Sequence, residues 1–552
     1  MNLFRRSLPE HRVPESVRRP PRRVAARTTL LLTPVLLVAI IAGFAYPAGR
    51  GPAAQQSPSS PAPSLSPTPS AIEHASPQLP SQVQVTIAAQ APTNAVPPAF
   101  LGISTEYWAL PVWARHLPLL DRVLSLVRGD GPVQLRIGGD SADHVFWSPV
   151  RELPEWVFEL TPGWLNEVSS IVRRSHVRLI LDLNLVTASP RDATRWASTA
   201  VAKLPHSSIL GFEIGNEPDI YSQTLWQSTT LGGVGSRVLP REITADSYVT
   251  AFAAYARALA RVAPGVPLMG PALAEPGLNI SWVSALLASP HRGLSAVTAH
   301  RYPFSACSQP ARQTYPTIRR VLSEAATAGM AQTVGPAVRL AAQAGLPVRL
   351  TELNSVTCGG TRRVSNTFAT ALWAPDALFE LVHAGVASAD VHVRANAINA
   401  AFTLNRHGLT ARPLLYGMIL FARMLGPHPQ LVGLRVQNRH HFHLKAWAVR
   451  TQGKVIHVLL IDKGQHSVRV GLRLPATGPA TVQRLQAPSV RATSGMTLDG
   501  QRLDARGRWQ GQRATELITP GPRGYQIKVA RTSAALLTFH LRPGALARPH
   551  KH

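Results

Sequence analysis

The sequence predicts an α/β protein: a (β/α)8 TIM barrel followed by an antiparallel β-sandwich, with an N-terminal transmembrane helix and a disordered linker ahead of both. Three observations carry this. Eight short apolar runs alternate with helical patterns between residues 100 and 392. Two of those runs end in a glutamate. Beyond about residue 431 the apolar period becomes two, broken by Gly and Pro.

In chain order, residues 1–27 are an arginine-rich tail. Residues 28–46 carry no charge and include LLLTPVLLVAIIAGFAY. That is about the ~20 residues a spanning helix needs. Arginines before it and none inside it place the tail in the cytoplasm. We expect an uncleaved single-pass anchor in the cell membrane, with the rest extracytoplasmic; cleavage as a signal peptide, releasing a secreted protein, is the alternative. Residues 47–82 are rich in Pro, Ser and Ala (PSSPAPSLSPTPS) and read as an extended spacer.

Residues 83–430 are the expected barrel. Its strand candidates are 100–104, 133–137, 177–183, 209–215, 267–270, 296–300, 348–351 and 389–392. Helical patterns such as DSYVTAFAAYARALARVA lie between them. A doubly wound sheet is disfavoured, since no Gly-rich phosphate loop follows a strand. Residues 431–542 contain FHLKAWAVR, KVIHVLLID and SVRVGLRL, which read as a sandwich. Residues 83–88 (VQVTIA) are also strand-like and are expected to return to pair with it. Residues 543–552 form a disordered tail.

The formal charge is +28, with arginine dominating lysine. The bases are scattered and no zinc-finger spacing occurs, so nucleic acid is not expected as a partner. Arginine binds carboxylate and sulfate in a bidentate fork, which suits an anionic sugar or surface; a solvated basic surface explains the charge equally well. The two cysteines, Cys307 and Cys358, show no metal spacing. They follow strands six and seven, whose loops are neighbours, so a disulfide is expected; free buried thiols are the alternative.

The chemistry rests on two carboxyls. ILGFEIGNEPD ends strand four at Asn216 and Glu217, and LPVRLTELNS ends strand seven at Glu352. Barrel active sites lie at the C-terminal strand ends. Strands three apart in an eight-strand ring face each other across that mouth. Either glutamate alone fits a helix cap or an ion pair; both together match glycosidic cleavage. One would be held protonated for the leaving oxygen and the other ionised for attack, about 5–5.5 Å apart if configuration is retained. Asn216 would bind a sugar hydroxyl. His300 and Tyr302 follow strand six, and Tyr302 would bond the nucleophile or the sugar; core packing is the alternative for the pair. Asp140 in RIGGDSAD, a run that fits a structural turn equally well, and Glu106 after strand one are further candidate sugar contacts. No metal and no organic cofactor is implied.

The segments FLGIS, RIGGDSAD, FEIGNEPD, HRYP, LTELNSVTCGG, LWAPDALFE and RPLLYG, in this order, resemble glycoside hydrolase family 79, the β-glucuronidase and heparanase family. VLLIDKG and QAPSVRATSGMTLDG resemble that family's C-terminal β-sandwich, so the likeness spans roughly residues 83–540. It implies Glu217 as acid/base and Glu352 as nucleophile. It implies that the amides of Gly359 and Gly360, with Tyr416, bind a uronic acid carboxylate. Bare glycine amides can approach an anion closely, although the pair also fits a simple turn. The stretch VHVRANAINAAF departs from the Gly-rich pattern expected after strand eight. Arg394 enters there, to contact a carboxylate or sulfate or to face solvent.

The leading expectation is a retaining glycosidase for β-glucuronides or other uronic-acid-containing glycans. A retaining enzyme for a neutral sugar, arabinofuranoside or xyloside, is the second. A non-catalytic surface glycan-binding protein is the third, and the intact carboxyl pair argues against it.

Overall fold

The computed structural model describes residues 81–542 apart from 89–90, 148–156, 224–242 and the single positions 187, 206, 291 and 453. The expected tail, anchor and most of the spacer lie outside these residues. Among the described residues, no helix is long and apolar enough to cross a membrane.

Eight parallel strands close into a barrel: β1 (Leu101–Glu106), β2 (Gln134–Gly138), β3 (Arg178–Leu183), β4 (Ile209–Ile214), β5 (Leu268–Leu273), β6 (Leu294–Arg301), β7 (Val348–Leu353) and β8 (Ser388–His392). Each coincides with one expected run. Strands β1, β2, β5 and β8 are buried at every position. Helices cover one face and the barrel interior covers the other, so such strands read as unbroken apolar runs. Helix starts are marked locally. Ser189 and Asp192 form a capping box at the helix Pro190–Lys203, and Thr244 and Ser247 form another at Ala245–Val262.

The C-terminal half is two packed sheets with a core of their own, including Ile456, Val458, Leu460, Val470, Leu472 and Phe539. The strand Val83–Thr86 lies between Val468–Arg473, parallel, and Arg435–Gln437, antiparallel. Thr93–Ala95 pairs with Gln430–Val432. The chain thus lays two strands into the sandwich before it starts the barrel. Between the two halves, Asp376 on helix α1 (Phe368–His383) is fully buried; it accepts from Lys463 Nζ at 2.5 Å and from Trp447 Nε1 at 2.8 Å. Phe379 stacks on Trp447 with ring centroids 5.5 Å apart.

Cys307 and Cys358 are bonded, with Cα atoms 6.0 Å apart. Their loops also pair directly, Phe304–Ser305 with Val356–Thr357. The cross-link therefore ties the loops that follow β6 and β7 at the barrel mouth.

Candidate active site

The site is built around a cation inside the barrel. Arg136, in mid β2, is fully buried. Its Nε donates to Glu213 at 2.8 Å and its Nη1 to Glu352 Oε2 at 2.9 Å. Its Nη2 donates to Asp182 at 2.8 Å and to Asn216 Oδ1 at 3.0 Å. Burial disfavours the charged guanidinium, but Glu213, Asp182 and Glu352 more than reverse this and hold it protonated. Burial also pushes the Asp182 carboxyl well up, against the pull of Arg136. A buried ion is retained only where partners fill its hydrogen bonds, and here they converge from strands β3, β4 and β7.

Glu352 receives three groups. Tyr302 donates its hydroxyl to Oε1 at 2.6 Å, Arg136 binds Oε2, and His392 Nδ1 lies 3.4 Å from Oε2. Burial alone would raise this carboxyl; His392, Arg136 and the Tyr302 hydrogen bond bring it down to about 2. Glu352 is therefore ionised at neutral pH.

Glu217 is the reverse case. Burial pushes its carboxyl well above the usual range, and the nearby charges of Glu352, Asp140 and Asp219 push the same way. Its Oε1 lies 2.9 Å from His300 Nδ1. His300 is itself held neutral, lowered to about 4 by burial and by Arg136. The backbone of Glu217 is left-handed, at φ 55° and ψ 49°, which costs a non-glycine residue roughly 1–2 kcal/mol. The turn is held by Glu217 N–H to Ala272 O at 3.0 Å and by Ile220 N–H to Glu217 O at 3.0 Å. Asp219, next in the motif, accepts from the amides of Ala274 and Glu275 and from Asn279. Asn216, Glu217, Pro218 and Asp219 thus lock the loops after β4 and β5 together. Single oxygens of Glu217 and Glu352 and a ring nitrogen of His300 lie within 4.8 Å of one another.

A second wall rises from β1, β2 and β8. Glu106 is buried, accepts from the Ser141 amide at 2.9 Å and lies 3.7 Å from both His392 Nε2 and Arg394 Nε. Burial raises its carboxyl, but Arg394 and His392 carry it far below the usual range. Gly139 is required here: a Cβ at that position would come within 2.8 Å of the Glu106 carboxylate. Asp140 lies 3.5 Å from Arg394 Nη1 and is raised to about 6 by burial, against the pull of Arg394. Arg394 is a quarter exposed and lies over the Trp108 ring at 5.9 Å.

Among the residues expected from the sequence, Glu217, Glu352, Asn216, Tyr302, Glu106, Asp140 and Arg394 thus converge at the mouth. Tyr416 does not join them. It is 2% exposed in helix α2 (Pro413–Met424), where its hydroxyl accepts from the Leu503 amide at 2.8 Å and its ring meets Trp509. It joins barrel to sandwich, with its ring buried and its hydroxyl bonded to the Leu503 amide. Gly360 is corrected in the same way. Its amide donates to the Thr357 carbonyl, and a Cβ there would clash with Asn399 at 2.7 Å. It serves a tight turn. Gly359 sits beside it, with its carbonyl receiving the Ile398 and Asn399 amides.

Sequence reading assigned no role to Arg136, Asp182, Glu213 or His392. The signal was present: Arg, Asp and Glu each interrupt an apolar strand run, and buried charges occur only where they are paired.

A closed parallel barrel with two carboxyls facing across its mouth, one pushed up and one pulled down, joined to a β-sandwich, has the build of a glycoside hydrolase. Residues 446–536 match the glycosyl hydrolase family 79 C-terminal beta domain. Among solved structures the chain is similar to a 4-O-α-L-rhamnosyl-β-D-glucuronidase from Fusarium oxysporum: 17% identity, TM-score 0.65, covering 82% of this chain and 100% of that one. It is also similar to a family 51 α-L-arabinofuranosidase from Bifidobacterium longum (16%, TM-score 0.61, 84% and 100%). A family 44 endoglucanase from Clostridium thermocellum matches as well (12%, TM-score 0.56, 84% and 100%). At these identities the likeness establishes the fold. Curated protein sequences give no match.

Proposed function

We propose that the chain is a retaining glycosidase acting on β-glucuronides or other uronic-acid-containing glycans. Glu352 is the nucleophile and Glu217 the acid/base. The observation that carries this is the pair itself: oxygens within 4.8 Å, with the Glu217 carboxyl pushed up and the Glu352 carboxyl pulled down. A gap near 9 Å would leave room for an attacking water and invert the sugar. In the first step Glu352 attacks the anomeric carbon as Glu217 gives its proton to the departing glycosidic oxygen, leaving a glycosyl ester on Glu352. In the second, Glu217, now a carboxylate, takes a proton from water. The water oxygen bonds to the anomeric carbon and Glu352 is released. Asn216, Asp140 and Glu106 bind sugar hydroxyls.

With Tyr416 committed elsewhere, the uronic acid carboxylate falls to Arg394, supported by its place on the rim above His392 and Glu106. The test is kcat/KM for nitrophenyl β-glucuronide against β-glucoside, β-xyloside and α-arabinofuranoside, in the native enzyme and in Arg394→Ala. Each charge-assisted hydrogen bond to a carboxylate contributes roughly 1.5–3 kcal/mol. The native enzyme should favour the glucuronide by about tenfold or more, and Arg394→Ala should lose that preference. A better neutral substrate, or a preference that survives Arg394→Ala, rejects the uronic acid assignment. One observation favours a neutral sugar as a second reading: Arg394 already faces both Glu106 and Asp140.

We also propose that residues 28–46 anchor the enzyme, supported by the uncharged run and the arginines before it. Extraction at alkaline pH should leave the protein in the membrane. A mature N-terminus near residue 46 would show cleavage instead.

A further inference from the structure

A row of arginines leaves the cleft rim and crosses onto the barrel flank. It begins at Arg362, two residues beyond Gly360. The turn there is held to the segment after β8, because the Gly359 carbonyl receives the amides of Ile398 and Asn399. Arg412 closes that segment and donates to the Ala397 carbonyl. Burial, and then the charge of Arg362, lower the proton affinity of Arg412. The segment also carries a hairpin, Phe402–Asn405 with Gly408–Ala411, which has Arg406 at its tip. A second hairpin, from the sandwich half, lies against the first. It pairs Arg502–Leu503 with Trp509–Gln510. The Leu409 amide donates to the Ala505 carbonyl at 2.7 Å, and Tyr416 accepts from Leu503. This sets the turn that carries Arg406 against the turn that carries Arg506 and Arg508. On the far side, the Arg122 side chain lies against Gly507.

Five of these six arginines are exposed and Arg412 is half-buried. Among the described residues none of the six is ion-paired. The single acid of the second hairpin, Asp504, accepts from the amides of Arg506 and Arg508 and from Gln510 instead. Like charges gathered from four segments, with Asp504 the single carboxylate of the second hairpin set among them, repel one another. An anionic ligand with regularly spaced charges relieves that repulsion.

We propose that this row is a binding surface for the continuing chain of an acidic polysaccharide, carboxylated or sulfated, one part of which occupies the cleft. The row starts at the end of the barrel where Glu217 and Glu352 stand. A glycan held there and running outward over the segment after β8 meets Arg362 and Arg412 first and the paired hairpins next. The direction of the chain rests on the glycosidase reading; binding to the row does not.

The experiment measures binding of the purified protein to polygalacturonate, dextran sulfate, neutral dextran and a random-sequence duplex DNA by affinity electrophoresis, over a range of salt. The variant is the triple charge reversal Arg406→Glu, Arg506→Glu, Arg508→Glu, with its melting temperature as the control for folding. The native protein should bind at least one acidic polysaccharide, weaken with salt and ignore neutral dextran. The triple variant should lose about tenfold or more in affinity, since three favourable contacts become three repulsions. The difference between polygalacturonate and dextran sulfate assigns the anion. Unchanged affinity in a folded triple variant overturns the proposal, as does tighter binding to DNA than to either glycan. If the triple variant does not fold, the single Arg406→Ala and Arg508→Ala variants must each weaken binding, and failure of both to do so overturns it. Turnover of nitrophenyl glycosides by the native protein is scored separately. Binding without turnover rejects the glycosidase reading and leaves the row standing; turnover without binding does the opposite.

Discussion

Replacing Tyr302 with Phe removes one atom from the site. That oxygen donates to Glu352 Oε1 at 2.6 Å, the shortest of the three contacts that hold the carboxylate. A hydrogen bond to a charged group contributes roughly 1.5–3 kcal/mol. At about 1.4 kcal/mol per pKa unit, its loss should raise Glu352 from about 2 by about one to two units. Glu352 stays ionised at pH 7, because Arg136 and His392 remain. The acid limb of kcat/KM should therefore move up by about one to two units. The rate on the plateau should fall by about ten- to a hundredfold, since Oε1 is no longer held in its attacking position. The ring stays in place, so the melting temperature should change by only a few degrees. The assay is a pH–rate profile on a nitrophenyl glycoside, with thermal unfolding alongside. An acid limb that does not move, at full stability, would refute the reasoning, because Tyr302 would then not bond the ionised nucleophile.

Three further outcomes are expected. Activity needs Glu352 ionised and Glu217 protonated, so the pH profile should be a bell. Its acid limb follows the lowered Glu352, and its basic limb should lie above the ordinary carboxylate range, following the raised Glu217. Glu217→Gln should remove that basic limb and spare substrates with good leaving groups, Glu352→Gln should abolish turnover, and NMR of the first product should show retained configuration. The 51-residue loop closed by Cys307 and Cys358 should stabilise the fold by about 4 kcal/mol in the chain-entropy model; a Cys307→Ser, Cys358→Ser protein unfolding at the same denaturant concentration as the native one would contradict this. Tyr416→Phe should leave sugar preference unchanged and cost about 1 kcal/mol of stability, since only the Leu503 amide loses a partner; a shift in preference would return Tyr416 to the site.

All eight barrel strands were legible because each is buried on both faces and so reads as an apolar run between polar breaks. Glu217 and Glu352 were legible because each ends such a run. The Arg136 network was not. Periodicity records which residues avoid water but not how a charged residue inside a strand is neutralised, and Asp182, Glu213 and Asn216 reach Arg136 from 46, 77 and 80 residues away. Tyr416 misled because resemblance assigned it a role that its own neighbourhood contradicts. PLLYGMILFARM is apolar almost all round, and such a helix is buried on every side. A tyrosine in its first turns therefore needs a partner within the core, which the sandwich supplies. Arg394 was found as a departure from a pattern, and its position on the rim follows from its place two residues beyond β8.

The two glutamates share one cleft, and their different states follow from what each faces. Glu352 looks toward Arg136, His392 and a tyrosine hydroxyl. Glu217 faces carboxylates and a neutral histidine. The remaining question is which Glu217 oxygen carries the proton, since only the oxygen turned toward the leaving group can deliver it. His300 answers through its tautomer. Its Nε2 is buried with no partner among the described residues, and an orphaned buried N–H is rarer in folded proteins than an under-used acceptor. A neutral ring with its hydrogen on Nδ1 would donate to Glu217 Oε1, 2.9 Å away, leaving the Glu217 proton on Oε2, and the same Nδ1–H would bond the carboxylate after transfer. The expected outcome is that 15N shifts of His300 show Nδ1 protonated; a hydrogen on Nε2 would refute this.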